Sequence, residues 1–321
     1  MTPRESIALL QQRMNRSILG QEHIVKRLIM GLLADGNILI EGLPGLAKTR
    51  TVRAMADAIE GSFSRIQFTP DLVSSDVIGA EYLQEENGVE RYTFHHGPIF
   101  GNIILADEIN RAPAKIQSAM LEAMAEKQVT VKGETYKLPE LFIVMATQNP
   151  LKEEGTFALS DAQRDRFFMH VKIDYTQMDV ELEMIKLIQK ERFSPKEAEP
   201  KIAQEMIFAA RKEVSEVTFS DALGRYIVDL VYATRYPLRY SRQLEMMIEL
   251  GVSPRASLAL TQCAQAYAWL EGRNEMQVED VQAVIHDVFR HRLLMSEHTR
   301  INGYTYDQII DIIVKNVKTP S

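Results

Sequence analysis

One cysteine, Cys263, stands in 321 residues, so the chain holds no pair to close a disulfide within itself and no cysteine cluster for a structural metal. That cysteine falls in the apolar, helical-looking run Ser257–Leu270, where a free thiol reads as core packing. No apolar run reaches the roughly 20 residues that a membrane-spanning helix needs. The first thirty residues mix Arg4, Arg13, Arg16 and Lys26 with short apolar stretches, which excludes a signal-peptide core and makes cytoplasmic residence the expectation. Basic charge is also in deficit: 37 Lys and Arg against 44 Asp and Glu leave a net charge of −7, which argues against broad nucleic-acid binding and favours protein partners. Histidine offers no metal site, because His95 and His96 are adjacent while His286, His291 and His298 lack ligand spacing. Internal repeats and low-complexity tracts are absent as well.

What is present is an ordinary globular composition, long enough for one large α/β domain and a smaller companion. Asn37-Ile-Leu-Ile40 is a short apolar stretch that ends in Gly42-Leu-Pro-Gly45 and continues into Lys48-Thr-Arg-Thr-Val-Arg-Ala-Met-Ala, a strand, a loop and a helix. Buried strands are predicted at Arg65–Phe68, Asn102–Ala106 and Leu141–Met145. A helix with Ile116, Met120 and Met124 on one face is predicted to open with Pro113 in its first turn. Asn87-Gly88 between two alternating runs marks a hairpin over Tyr82–Phe94, and Gly133 marks another over Gln128–Leu138. Past Tyr175 the strand pattern gives way to amphipathic helical segments, interrupted at Ser194-Pro195, Pro200 and Tyr236-Pro237. The expected organisation is an α/β core over 1–190, with hairpin insertions near 80–96 and 126–139, and a helical domain over 191–321. Glu245-Met-Met-Ile248 reads as helix core.

Three motifs carry chemistry. Gly42–Thr49 has the form of a phosphate-cradling loop: main-chain N–H groups and a helix N-terminus face the anion, Lys48 reaches the β/γ-phosphates, and Thr49 offers its hydroxyl to Mg²⁺. Asp107-Glu108 places two carboxylates at the end of a buried strand, where Asp107 suits the water shell of Mg²⁺ and Glu108 suits polarisation of an attacking water. Asn149 emerges after the next strand as a water-orienting amide, provided that the two strands are neighbours. Gly155–Phe168 then brings Arg164 and Arg166, either a phosphate-neutralising pair or an ion-pair network with Asp161 and Asp165. Arg255, in the first turn of a helix, opposes the helix dipole unless an anion lies nearby.

Together Gly42–Thr49, Arg65-Ile-Gln-Phe-Thr-Pro-Asp71, Gly97-Pro-Ile-Phe100, Asp107-Glu-Ile-Asn-Arg-Ala-Pro113, Ala146-Thr-Gln-Asn-Pro150 and Ser253-Pro-Arg-Ala256 resemble the MoxR family of AAA+ ATPases, from Gly20-Gln21 to His291-Arg-Leu293. The resemblance implies a P-loop NTPase fold, a parallel sheet with helices on both faces and a small all-helical C-terminal lid. It implies an ATP/ADP site at Gly42, Leu43, Pro44, Gly45, Leu46, Ala47, Lys48 and Thr49, joined by Arg50 and Gln21, with Mg²⁺ at Thr49 and Asp107. It implies catalytic roles for Glu108, Asn149 as first sensor, Arg255 as second sensor and Arg166 as the arginine finger. Where the family usually reads Leu-Pro-Glu-Ala-Gln before the finger, this chain has Leu159-Ser160-Asp161-Ala162-Gln163, and Arg164 adds a second arginine beside Arg166. The implied activity is Mg²⁺-dependent ATP hydrolysis by a ring, expected to be a hexamer, that remodels or matures a client protein complex alongside a von Willebrand factor A domain protein. A magnesium-chelatase-like subunit and a nucleotide-dependent switch with little turnover are the alternatives.

Overall fold

The computed structural model describes residues 1–43, 45–46, 48–86, 89–150, 155–193 and 199–320. Pro44 and Ala47 of the phosphate loop, the hairpin tip Asn87-Gly88 and the Ser194-Pro195 interruption lie outside the described residues. The chain forms two compact units, the first from Met1–Ile29, Asn37–Leu159 and Val171–Ile207, the second from Met30–Gly36, Ser160–His170 and Phe208–Ser321. Among the described residues no helix is long and apolar enough to cross a membrane.

The strands are β1 (Ile38–Gly42), β2 (Phe63–Gln67), β3 (Gly79–Glu86), β4 (Val89–His96), β5 (Ile103–Asp107), β6 (Gln128–Val131), β7 (Glu134–Lys137), β8 (Ile143–Gln148) and β9 (Met169–Ile173), all within the first unit except Met169 and His170 of β9. The principal sheet has the order β2-β5-β8-β1-β9, and β2, β5, β8 and β1 pair in parallel. Every residue of β5 is buried, as is β8 as far as Thr147, which is the signature of strands covered on both faces. β2 departs from the expected buried strand: only Ile66 is buried and Arg65 and Gln67 are exposed, because β2 is the sheet's edge and has a neighbour on one side alone.

The helix after β5 runs Ala114–Glu126 and buries Ile116, Met120 and Met124 as the four-residue spacing predicted. Pro113 stands one position earlier than predicted, at the cap, with an extended ψ of 147°. β6 and β7 close through Lys132 and Gly133 at φ of 49° and 92°, two positive values that match the right-handed strand twist. β3 and β4 pair from Gly79↔His96 to Glu86↔Val89. The two hairpins touch: Lys132 donates to Glu81 at 2.7 Å, and the rings of Phe94 and Tyr136 stack at 4.2 Å.

The second unit is built from helices Asp221–Arg235, Pro254–Leu270, Val278–Phe289 and Tyr306–Asn316, with Ser220, Ser253 and Thr305 supplying hydroxyl caps to the first, second and fourth. Leu230, Leu260, Val284, Ile285, Val288, Ile310 and Ile313 form its core, and Cys263 is buried among the core residues as the sequence suggests. Two features differ from expectation. The unit carries a small antiparallel ladder of β10 (Ile248–Leu250) and β11 (Leu294–Met295), too short to give a sequence period, so it is not wholly helical. The Met pair is divided: Met247 is buried, whereas Met246 is 57% exposed, since adjacent helical residues point about 100° apart.

His291 is fully buried in this unit, with Nε2 against the Phe167 carbonyl at 3.0 Å. Burial first, then the charges of Arg292 and His170, pushes its pKa well below the ordinary 6.5. The unfolded chain therefore takes up a proton near 6.5 that the folded chain refuses, so stability is complete above that value and falls as pH drops beneath it. The thermal midpoint of this unit is expected to fall between about pH 7.5 and about pH 5.5, with a slope of up to ~1.4 kcal/mol per pH unit. His291→Gln should flatten that slope, as melting curves at the two pH values will show.

Candidate functional site

The C-terminal ends of β1, β5 and β8 bring the sequence motifs together. β1 delivers the chain into Leu43, Gly45 and Leu46, and the helix Lys48–Ala58 starts at once, which places Lys48 and Thr49 in its first turn. Gly42 allows a close approach here, because a Cβ would lie 3.0 Å from the Ile173 carbonyl, tighter than an ordinary contact. Gly45 turns the loop at φ +86°, and among the described residues a Cβ there would meet nothing within 4 Å. The Lys48 amine donates to the Gly42 carbonyl at 2.5 Å. Burial lowers the Lys48 pKa, while Asp107, Glu108 and Glu41 act in the opposite sense, so the ammonium is half-desolvated among carboxylates.

β5 and β8 are neighbours, with Ala106 opposite Ala146, which satisfies the condition on Asn149. Asn149 follows β8 directly and is half-buried. One hydroxyl organises the acidic pair: Thr147 Oγ1, fully buried, donates to Asp107 Oδ1 at 2.6 Å and accepts the Glu108 N–H at 2.9 Å. Glu108 itself adopts φ 59° and ψ 49°, a left-handed conformation uncommon outside glycine and concentrated at functional sites. The edge strand supplies the remaining partners. Arg65 donates to Asp107 Oδ2 through Nη2 at 2.7 Å and Nε at 3.1 Å, and Gln67 Nε2 donates to Glu108 Oε2 at 3.2 Å. Arg111 Nε lies 3.2 Å from the same Glu108 oxygen. Thr147→Val removes the shared hydroxyl at nearly constant volume and leaves both the buried Asp107 oxygen and the Glu108 amide short of a partner. A loss of about 1–3 kcal/mol in unfolding free energy is expected, measurable by urea denaturation.

One expected ligand residue has its side chain engaged elsewhere. The Arg50 guanidinium is engaged by Glu191, at 2.8 and 3.0 Å, and by the Ser17 carbonyl at 2.9 Å. Gln21 is buried, and its Oε1 has no hydrogen-bond donor among the described residues. Among the described residues no three His, Cys, Asp or Glu are grouped so as to hold a metal ion.

Arg164, Arg166 and Arg255 belong to the second unit. Arg164 pairs with Asp161 three residues earlier, whereas Arg166 is exposed and has no ion-pair partner among the described residues. The anion beside Arg255 is a carboxylate of this chain, Asp165, at 3.2 Å, where its place in the first helical turn had hinted at a phosphate. Sequence reading passed over Arg65, Gln67 and Thr147 as functional groups. Their local signal was membership of the motifs Arg65–Asp71 and Ala146–Pro150, together with the two-residue spacing that sets Arg65 and Gln67 on one face of a strand.

Residues 37–169 match the model of the ATPase family associated with various cellular activities (AAA), and residues 243–313 match the AAA lid domain. The chain is 39% identical to chaperone MoxR1 of Mycobacterium tuberculosis, over 95% of this chain and 80% of that one. It is 40% identical to the protein YeaC of Bacillus subtilis, over 96% and 93%. A solved structure from Cytophaga hutchinsonii superposes with a TM-score of 0.90 at 38% identity, covering 99% of this chain and 96% of the other.

Proposed function

The chain belongs to the MoxR family of AAA+ ATPases, and on that premise we propose that it hydrolyses ATP with Mg²⁺ and uses the energy to remodel a partner protein complex. The observation that carries the reading is the meeting of a half-desolvated lysine with a buried aspartate and a left-handed glutamate beyond the ends of parallel strands.

The residues present suit a nucleotide triphosphate. The space beside Gly45, clear of the described residues, leaves room for an anion, Lys48 has more negative than positive charge acting on it, and the Gln21 Oε1, with no donor among the described residues, suits one such as an exocyclic amine. Leu43, Gly45, Leu46, Lys48 and Thr49 would hold the phosphates, and Thr49 and Asp107 would hold Mg²⁺, which characteristically shares its shell between a carboxylate, waters and phosphate oxygens. When bound, the metal neutralises charge on the transferring phosphoryl group. Glu108 accepts the proton of the attacking water, Asn149 orients that water, and Arg255 and Arg166 stabilise the developing negative charge, Arg166 from a neighbouring subunit. The exposure of Arg166, which has no ion-pair partner among the described residues, against the local pairing of Arg164, supports this choice of finger.

A finger acting on a neighbour requires at least one adjacent subunit, and a ring of six is the proposed assembly. Tyr82, Leu83 and Tyr92 stand 57%, 51% and 70% exposed on the first hairpin, a surface suited to a protein client and to a von Willebrand factor A domain partner. Phosphate release from ATP by the purified chain tests the reading. It should require Mg²⁺ and disappear in Lys48→Ala, whereas metal-independent release, or none at all, would overturn it. A switch with little turnover is the second reading, favoured by the Arg65 and Gln67 contacts that occupy both carboxylates. Stable binding of ATP with no phosphate burst would select it.

A further inference from the structure

Asp165 precedes the exposed Arg166 in the chain, and its carboxylate is shared three ways. Ser253 Oγ lies at 2.8 and 3.0 Å from its two oxygens, Arg255 Nη1 at 3.2 Å and Arg292 Nε at 3.1 Å. The Ser253 hydroxyl also accepts the Arg255 N–H and caps the helix Pro254–Leu270, so the Asp165 charge sits at that helix's positive end. All of these groups belong to the second unit.

The two arginines differ in kind. Arg292 has a side chain only 2% exposed, and it donates also to the carbonyls of Phe167 at 2.5 Å, Phe168 at 3.2 Å and Val288 at 2.6 Å. Its grip fixes the backbone on both sides of Arg166. Burial lowers its pKa to about 10, and Asp165 is the carboxylate that offsets its charge. Arg255, by contrast, is 62% exposed and holds Asp165 through one long bond, so it can leave cheaply.

We propose that Asp165 is a positioning residue shared by two arginines, which parks Arg255 when no phosphate is near it and, through Arg292, sets the backbone that carries Arg166. When a nucleotide phosphate draws Arg255 away, Asp165 loses one of its donors and closes on Ser253 and Arg292, and the segment holding Arg166 shifts with it. Occupancy of one site is thereby relayed to the finger that serves the next. The inference rests on the roles of Arg255 and Arg166 given above.

Two double-mutant cycles test it on the full chain. In the first, affinity for a fluorescent non-hydrolysable ATP analogue is measured: Asp165→Asn should raise it about two- to fivefold by freeing Arg255, and should have no effect once Arg255→Ala is in place. In the second, Asp165→Asn should lower turnover about tenfold or more in the wild-type background and add nothing to Arg166→Ala. A merely structural aspartate would weaken binding and turnover together, and its effects would multiply in both cycles, which would overturn the proposal. If Asp165→Asn loses its cooperative melt, Asp165→Glu keeps the charge that Arg292 needs, lengthens the arm and carries the same cycles, with multiplicative effects again fatal. Failure of the wild-type chain to turn over ATP would count against the hydrolysis reading instead, and the affinity cycle would still decide on Asp165.

Discussion

Glu108→Gln is expected to lower steady-state ATP turnover by about a hundredfold or more while leaving nucleotide affinity within about threefold, since general-base catalysis contributes roughly 10²–10⁴ in rate. The substitution is geometrically mild. Gln67 and Arg111 reach a single oxygen, Oε2, and an amide oxygen at that position still accepts from both. The left-handed backbone, held by the Glu108 N–H on Thr147 and by the turn from Arg111 N to Glu108 O, does not depend on the side-chain charge. What disappears is the capacity to take a proton from water. Turnover within threefold of wild type would remove Glu108 from the base role, and loss of affinity alongside turnover would show a damaged pocket. Because the variant should dwell with ATP bound, the same protein is suited to recovering a client by pull-down.

Much of this site was legible because its chemistry is local in sequence. A phosphate loop needs a strand, glycines, a lysine and a helix start within about a dozen residues, and β1, Gly42, Gly45 and Lys48 supply them in that order. The acidic pair at the end of a wholly apolar strand was equally visible. The supports of that pair were not, because they depend on strand order. Only the placement of β2 beside β5, with Gln67 opposite Asp107, brings Arg65 and Gln67 to the carboxylates, and only the placement of β8 on the other side of β5 brings Thr147. Taken by itself, Arg65 is a surface arginine on an edge strand and Thr147 a small residue between Ala146 and Gln148. The same limit hid Asp165: its partners Ser253, Arg255 and Arg292 lie 88 to 127 positions away in the chain. The β10–β11 ladder escaped notice for a simpler reason, since two- and three-residue strands are too short to show alternation.

Arg166→Ala should lower turnover by about a thousandfold, the lower end of what an arginine finger supplies to phosphoryl transfer, with affinity for ATP nearly unchanged. Arg164→Ala should cost far less, because Arg164 is tied to Asp161 within its own turn and is not free to reach another subunit. Mixing gives the sharper test. Lys48→Ala subunits cannot grip phosphate but present an intact Arg166, whereas Arg166→Ala subunits have an intact pocket and no finger. If the arginine acts across a subunit boundary, a mixture of the two inactive proteins contains pockets that face a working finger, and turnover should rise above that of either alone. An arginine acting within its own subunit predicts no recovery at any ratio. Full activity in Arg166→Ala combined with its loss in Arg164→Ala would transfer the role to Arg164. Recovery would at the same time establish that the chain assembles with copies of itself, since no monomer can repair a pocket in another.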